Sequence, residues 1–543
     1  MALAQALRSG FGSLRDKFAG GSARAPQPED QTPIDAPEGV GPETAAYFRS
    51  LATGCAEADL VDDRTWADLE MDRVFQRLNR SRTAPGAQYL YALLRHFPSG
   101  QKVREETVKA TRAFAANPQA GEALRRALGG AGKGDELAAF LLGAPPAIPA
   151  NYRLFSWVSA AALLCPFGML FSPWFLLPAT LLWMLSIVLH CVYHRQVATS
   201  GPALTSLAKL LSCVPQLPQA LPGLGLPEEQ ELRVLTETAR KTQRQISMTF
   251  LSRAASNDLL QAAVEYLNVL CLFELKAHCR ALLAVNQEWD ALLKLYRLVG
   301  RLDALQGLGA ALVEYPVTCT AEITAGRSFT LVDVYHPLLA NPVCNSLQGS
   351  GHSLLFTGTN MAGKTTFIKT VGINLLLAQT LGMCLARKAV LPAARLRTLI
   401  HREDTLLQGH SYFYAEAREL LRMLEQARRN GQEYWLVIDE VFRGTNTLER
   451  VASAGAVLRH LAHHALVLAS THDHELTTLL SAQFDAYHFS EVIEGQKARF
   501  DYRLKPGPCT TRNAIKLLAI AGYPKEVIEV AETLVCSAEG RGR

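Results

Sequence analysis

Three groups of residues in this 543-residue chain have the types and spacing for chemistry on a chain of phosphates. Gly358-Thr359-Asn360-Met361-Ala362-Gly363-Lys364-Thr365, followed by Thr366, is a G-x-x-x-x-G-K-[ST] loop. Its glycines let successive backbone N–H groups turn inward around phosphate oxygens, Lys364 is placed to neutralise the β/γ-phosphates, and the Thr365 hydroxyl is a magnesium ligand. Tyr434-Trp-Leu-Val-Ile438 is an apolar run ending in Asp439-Glu440. Asp439 suits the magnesium shell, and Glu440, aimed at the γ-phosphate, can polarise an attacking water. Asp-Glu after an apolar strand says little alone; after a phosphate loop in the same domain it says a good deal. Ser470-Thr471-His472 ends a third apolar run and brings His472 to the same place.

These groups need strands that stop at one edge. Ser353–Phe356 leads into the loop, and a helix is expected from Thr366 to about Leu381. Tyr434–Ile438 and Ala465–Ala469 supply the other strands. Short apolar strands alternating with helices predict an α/β domain with a mainly parallel sheet, whose ligands sit beyond the strand ends. Its start is marked around Pro316–Asp333, where the pattern changes to short alternating runs (VTCTAEI, SFTLVDV). Upstream, residues 46–150 and 203–312 carry apolar residues at three- and four-residue spacing with few breakers, the pattern of a helical region.

Composition narrows the class. Lys+Arg number 55 against Asp+Glu 50, a net +5 too even to announce a nucleic-acid or membrane-surface protein by charge. Apolar residues at 49% exclude general disorder, and charged residues at only 19% point to an unusually apolar segment. Eleven Cys without a C-x-x-C pair give neither a disulfide framework nor a zinc site, so reduced thiols in a cytosolic compartment are expected. Leu3, Leu7, Phe11, Leu14 and Phe18 sit at helical spacing among Arg8, Arg15 and Lys17, an amphipathic surface helix or a frayed end but not a secretory signal. Residues 19–44, rich in Pro, Gly and acids, read as a flexible linker.

The apolar segment lies between Arg153 and Arg195, with no Asp, Glu, Lys or Arg from Leu154 to His194. Pro166, Gly168 and Pro173 break it into halves of about 20 residues, each long enough as a helix for a hydrocarbon core of roughly 30 Å. The halves hold eight and ten Leu/Ile/Val/Phe, worth at most roughly −2 to −6 kcal/mol per helix. A buried helical hairpin normally keeps a polar stripe, and these halves keep none. The reading is a two-helix transmembrane hairpin with both chain ends on the cytoplasmic, Arg-rich side.

The loop Gly358–Thr366 resembles the TGPNMGGKST loop of the MutS family of DNA mismatch-repair ATPases. Ser411-Tyr-Phe413-Tyr-Ala-Glu416 resembles that family's S-x-F-x-x-E, Asp439-Glu-Val-Phe-Arg-Gly-Thr-Asn-Thr447 its DEIGRGTST, and Ser470-Thr-His472 its ATH strand end. Tyr502-Arg-Leu-Lys-Pro-Gly507, then Ala519, Ala521-Gly-Tyr-Pro524, Val527-Ile528 and Ala531, are similar to its tail. The transporter signature LSGGQ is absent. Arg80-Ser-Arg-Thr83-Ala-Pro-Gly86 before a Leu-rich helix resembles the start of the family's helical core. No counterpart of the mismatch-reading domain, its F-x-E wedge, the connector domain or a following Smr-type nuclease is recognisable, so direct mismatch recognition is not expected. Thr359, Ala362 and Phe442 replace a family Pro, Gly and Gly without removing a phosphate or magnesium group.

The resemblance implies an α/β P-loop NTPase domain of the ABC/MutS type over 316–543. Before it stand an all-α core over 46–150 and 196–315, with the hairpin inserted at 151–195, and the N-terminal segment 1–45. It implies ATP and Mg2+ as cofactors and a homodimer with composite sites, in which Ser411 of one subunit reaches the γ-phosphate bound by the other. Asn360 and His472 would report that phosphate, and the ATPase domain would lie at the cytoplasmic face of the inner membrane. Two functions follow. In one, an ATP-dependent, mismatch-repair-related protein acts on DNA near the membrane. In the other, an ATP-driven motor acts on a membrane protein partner without DNA, consistent with Arg240, Lys241, Arg244 and Arg253 being interleaved with acids rather than forming a basic stripe. The hairpin is expected where the family's DNA clamp stands.

Overall fold

A computed structural model describes residues 41, 43–98, 100–132, 134, 136–247, 269–358, 363–400, 412–429, 433–442, 446–494, 497–509, 518 and 522–540. The N-terminal apolar helix, most of the linker, Thr359–Ala362, Ser411, Arg253, Ala519 and Ala521 lie outside these residues.

The C-terminal region is built on β4 (Ser353–Thr357), β7 (Arg395–Leu399), β8 (Tyr434–Asp439), β9 (Leu466–Ser470), β10 (Phe484–His488) and β13 (Lys505–Pro506), in the order β13-β10-β4-β9-β8-β7. The pairs from β10 to β7 are parallel, and only β13 runs antiparallel. β4, β8 and β9 are buried along their whole length, as continuous apolar runs covered on both faces must be. A second sheet, β3-β2-β6-β1-β5, takes up the two alternating runs as β1 (Cys319–Thr324) and β2 (Phe329–Val334) and adds β3 (Asn345–Gly349), β5 (Met383–Cys384) and β6 (Lys388–Pro392), pairing mostly antiparallel. β11 (Glu491–Glu494) and β12 (Lys497–Phe500) form a separate hairpin.

Residues 46–313 are helical among the described residues. The hub is Trp289–Val313, where Asp303, fully buried, accepts hydrogen bonds from Arg82 N at 3.0 Å, Thr83 N at 2.8 Å and Thr83 Oγ1 at 2.7 Å. A Cβ at Gly86 would stand 2.3 Å from Asp303 Oδ2, so the Arg-Thr-x-x-Gly turn needs glycine to reach this helix. The segment around the helix Asp63–Asp68 docks on the C-terminal region: Asp68 accepts from Thr398 Oγ1 at 2.8 Å and Ile400 N at 2.9 Å at the end of β7, and Glu70 pairs at 2.7 Å with Lys369 of the helix Lys364–Leu381.

The apolar hairpin differs from its sequence reading in both limbs. The first α-helix is Tyr152–Leu164, only 13 residues, followed by 3-10 turns Cys165–Leu170 and Pro173–Phe175. The second limb does not end at Arg195 but belongs to one 38-residue helix, Leu176–Cys213. Arg195 ends the uncharged run without breaking the helix, and Pro202 is accommodated inside it. By length and composition three helices could cross a membrane: Tyr152–Leu170, Pro173–Tyr193 and Val197–Ala220. The third has Leu204, Leu207, Leu211 and Leu217 buried in the helical bundle.

Candidate functional site

The C-terminal ends of β4, β8 and β9 bring the sequence-selected residues together. Gly358, at φ 123°, leaves β4 where an added Cβ would fall 2.4 Å from Phe489 O, so the chain can begin its phosphate-loop turn only as glycine. The helix then starts at Lys364, two residues earlier than expected, because Gly363 in a left-handed conformation already serves as its N-cap. That puts Thr365 Oγ1 2.9 Å from Asp439 Oδ2, and Ser470 Oγ donates to the other oxygen, Asp439 Oδ1. A hydroxyl facing a fixed carboxylate at the first turn of a helix is the donor set of a magnesium shell, so the residues fit that ion.

Lys364 is fully buried. Its Nζ donates to Thr471 O at 3.4 Å, lies 3.0 Å from His472 Nδ1 and 3.7 Å from Glu440 Oε1. Because an ammonium only donates, His472 Nδ1 is the acceptor, which assigns the ring proton to Nε2. That nitrogen is 2.5 Å from Glu440 Oε1. Lysine, imidazole and carboxylate thus form a connected set, with Glu440 turned off β8 at φ 52°. A left-handed non-glycine residue at the end of a strand is backbone strain kept at a site of this kind.

Phe442 also has a positive φ, 61°, at a cost of about 1–2 kcal/mol for an L-residue. It is held from the Ser411 motif: Glu416 Oε1 accepts from Phe442 N at 2.7 Å, and the Phe413 and Phe442 rings lie 4.9 Å apart. Ser411, Thr359, Asn360, Met361 and Ala362 lie outside the described residues.

Sequence reasoning missed a cavity of about 330 Å³ beside the loop, lined by His336, Leu339, Thr366, Phe367, Phe489 and Tyr502 among others. Asn345 fixes its Tyr502 wall, donating from Nδ2 to Tyr502 O at 3.0 Å and accepting from Leu504 N at 2.8 Å. Burial pushes the His336 imidazole down to about 4, with Glu70 opposing and Lys369 assisting. Its Nδ1 accepts from Leu338 N. The available signal was Tyr502 in the tail motif, which sequence alone did not connect to the loop.

Residues 354–539 match the family description MutS domain V. The DNA mismatch repair protein MutS 2 of Haloarcula marismortui is 33% identical over 240 residues, covering 40% of this chain and 25% of its own length. The DNA mismatch repair protein MutS of Thermus aquaticus is 32% identical over 266 residues, covering 47% of this chain and 31% of its own length. One from a Synechococcus strain, CC9605, is 32% identical over 254 residues, 44% of this chain and 28% of its own. The chain therefore spans less than a third of the length of these curated relatives. Over its C-terminal half, the chain is thus similar to proteins of the MutS family, with residues 354–539 matching MutS domain V.

Proposed function

We propose that this protein is a membrane-anchored ATPase of the MutS type. The observation that carries the reading is the connected set at one sheet edge, in which Lys364, Asp439 and Glu440 are buried and Thr365 and His472 reach them from the more open side. Lys364 would hold the β/γ-phosphates, exchanging its contacts to Glu440 and His472 for phosphate oxygens. Thr365 and Asp439 would hold magnesium, which supplies charge neutralisation at the phosphates. Released from Lys364, Glu440 would take the proton of the attacking water, with His472 fixing its orientation. The cavity of His336, Phe489 and Tyr502, on the loop's flank, has the size and partly aromatic lining for the adenine base. By family likeness the site is completed in a homodimer by Ser411 of the second subunit.

The relatives' names bring DNA mismatch repair to this chain as the first functional reading. A second has its own support. Lys241 pairs with Glu288 at 3.1 Å and Arg240 with Glu237 at 4.0 Å, so these cations are matched by acids rather than arrayed for phosphates. The helix Leu176–Cys213 also runs unbroken from the apolar hairpin into the bundle, a direct lever on a membrane-bound partner. Purification in detergent, with ATP hydrolysis measured alone and with duplex, mismatched and branched DNA, tests both. Absence of hydrolysis overturns the ATPase reading. Hydrolysis unmoved by DNA, with no salt-dependent DNA binding, selects the second function.

A further inference from the structure

Resting on the membrane reading above, we infer that the hairpin is a re-entrant wedge: it enters and leaves the bilayer by the face that carries the ATPase domain, and its tip stays within the lipid. Three observations carry this. The α-helical part of the first limb is 13 residues, about 20 Å against a hydrocarbon core of about 30 Å, and the limb has the length of a span only if the 3-10 segment Cys165–Leu170 is counted with it. Gly168, within that segment, packs on the Phe175 ring just before the second limb, so the two limbs already meet there and the tip follows.

Secondly, the protein's own helix Phe273–Gln287 marks where lipid can begin. Lys276 Nζ donates to Ser159 Oγ at 2.7 Å, and Ser159 Oγ donates to Cys271 O at 2.6 Å. Phe155 at the base of the first limb is buried against Leu272, Leu275 and Cys279, with Leu189 of the second limb packed on the same cluster. A lysine ammonium at the level of Ser159 belongs in headgroups or water. From Leu189 to Leu176 the helix rises about 20 Å, two-thirds of the hydrocarbon thickness.

Finally, the tip is made for oil and not for the far aqueous side. Leu170, Phe171 and Trp174 are 82%, 90% and 85% exposed. Irregular backbone survives in lipid only when its polar groups are satisfied internally. Here Phe171 N and Ser172 N both donate to Gly168 O, Phe175 N donates to Ser172 O and Leu176 N to Pro173 O, while the prolines have no N–H to satisfy.

The test places Ser172→Cys in the full chain, reconstituted in phospholipid vesicles with the ATPase domain outside. A membrane-impermeant maleimide is added outside, trapped inside, or added after detergent, and modification is read at residue 172 by peptide mass. An Ala198→Cys chain is the outside control, and retained ATP hydrolysis shows that each variant is folded. Residue 172 reacting only after detergent supports the wedge. Reaction with the trapped reagent means that the hairpin spans, which overturns the wedge and leaves the membrane anchor. Reaction from outside in vesicle-bound protein also overturns the wedge, since the tip then lies on the surface. Protein that never floats with vesicles and stays soluble without detergent defeats the membrane reading itself.

Discussion

The nucleotide edge and the apolar hairpin treat solvent in opposite ways. At the edge, Lys364, Asp439 and Glu440 are charged side chains withdrawn from water, and each meets a partner of opposite character within the cluster. In the hairpin, Leu, Phe and Trp side chains are pushed outward, while the turn amides of Phe171, Ser172, Phe175 and Leu176 and the Trp183 indole, which donates to Ala162 O, find acceptors within it. A buried charge is tolerated when paired, and an exposed apolar surface is tolerated when its solvent is not water. The difference teaches where each region is fragile: the edge fails when one partner is removed, and the hairpin fails when its surroundings change.

The largest expected effect therefore lies at the edge. Lys364→Ala should lose ATP binding by about 10²–10³-fold or more, the equivalent of the ~3–5 kcal/mol usual for removing one partner of a buried charged set. Wild-type affinity for a fluorescent nucleotide would show that Lys364 does not hold phosphate. Glu440→Gln keeps the shape and a hydrogen-bond acceptor, so nucleotide should still bind. Turnover should drop by about 10²–10⁴-fold, the worth of a positioned general base. Near-normal steady-state hydrolysis would take the water-activating role away from Glu440.

The hairpin should respond to a change that the edge ignores. Replacing residues 154–194 by a short Gly/Ser loop should give a chain that remains in solution without detergent and still binds nucleotide. Phe155 and its partners form a cluster of their own, apart from the core that holds the phosphate-loop helix. Loss of nucleotide binding in that chain, measured beside the detergent-purified parent, would mean that the two regions are not independent.

How much of this was legible in the sequence follows from how local each feature is. The phosphate loop and the strand-end acids were readable because their chemistry fixes spacing along the chain. The strands Tyr434–Asp439 and Leu466–Ser470 were readable because full burial makes them continuous apolar runs. The five-stranded sheet was legible only in the runs of β1 and β2, because β5 has two residues and its one partner, β1, lies about 60 residues away. The cavity was hidden for the same reason: His336, Thr366, Phe489 and Tyr502 come from four separate segments. Charge misled at Arg195, since the end of an uncharged run says nothing about where helical hydrogen bonding ends. Asp303 carried a signal that went unused, a lone acid in the buried stretch between Gly300 and Gly307.

That aspartate extends the comparison to the helical core, where the partners are backbone groups. Burial raises its pKa, and the donors Arg82 N and Thr83 act against the rise. Asp303→Ala strands these buried donors and should cost about 2–4 kcal/mol, read as a lower thermal midpoint of the detergent-solubilised chain. Asp303→Asn, which keeps one acceptor oxygen, should cost less. Equal midpoints for the alanine variant and the parent would mean that the turn at Arg80–Gly86 holds without it.

The smallest effect expected is the one set by pH at the cavity. Burial holds His336 neutral by lowering its pKa from 6.5 to about 4. The unfolded chain takes up a proton below about 6.5 and the folded chain does not until about 4, so the folded state loses stability as pH falls through this window. Between pH 8 and pH 5.5 the loss from this one group is about 1.4 kcal/mol, and it grows further toward pH 4. His336→Gln removes the titration while leaving a polar side chain in the cavity wall. Thermal midpoints of parent and variant, each taken at pH 8 and pH 5.5, should therefore differ in their pH response, with the variant falling less. Parallel falls in both chains would place the acid sensitivity elsewhere and put a charged His336 in solvent, which would make the wall beside the phosphate loop wetter than its aromatic partners Phe489 and Tyr502 imply.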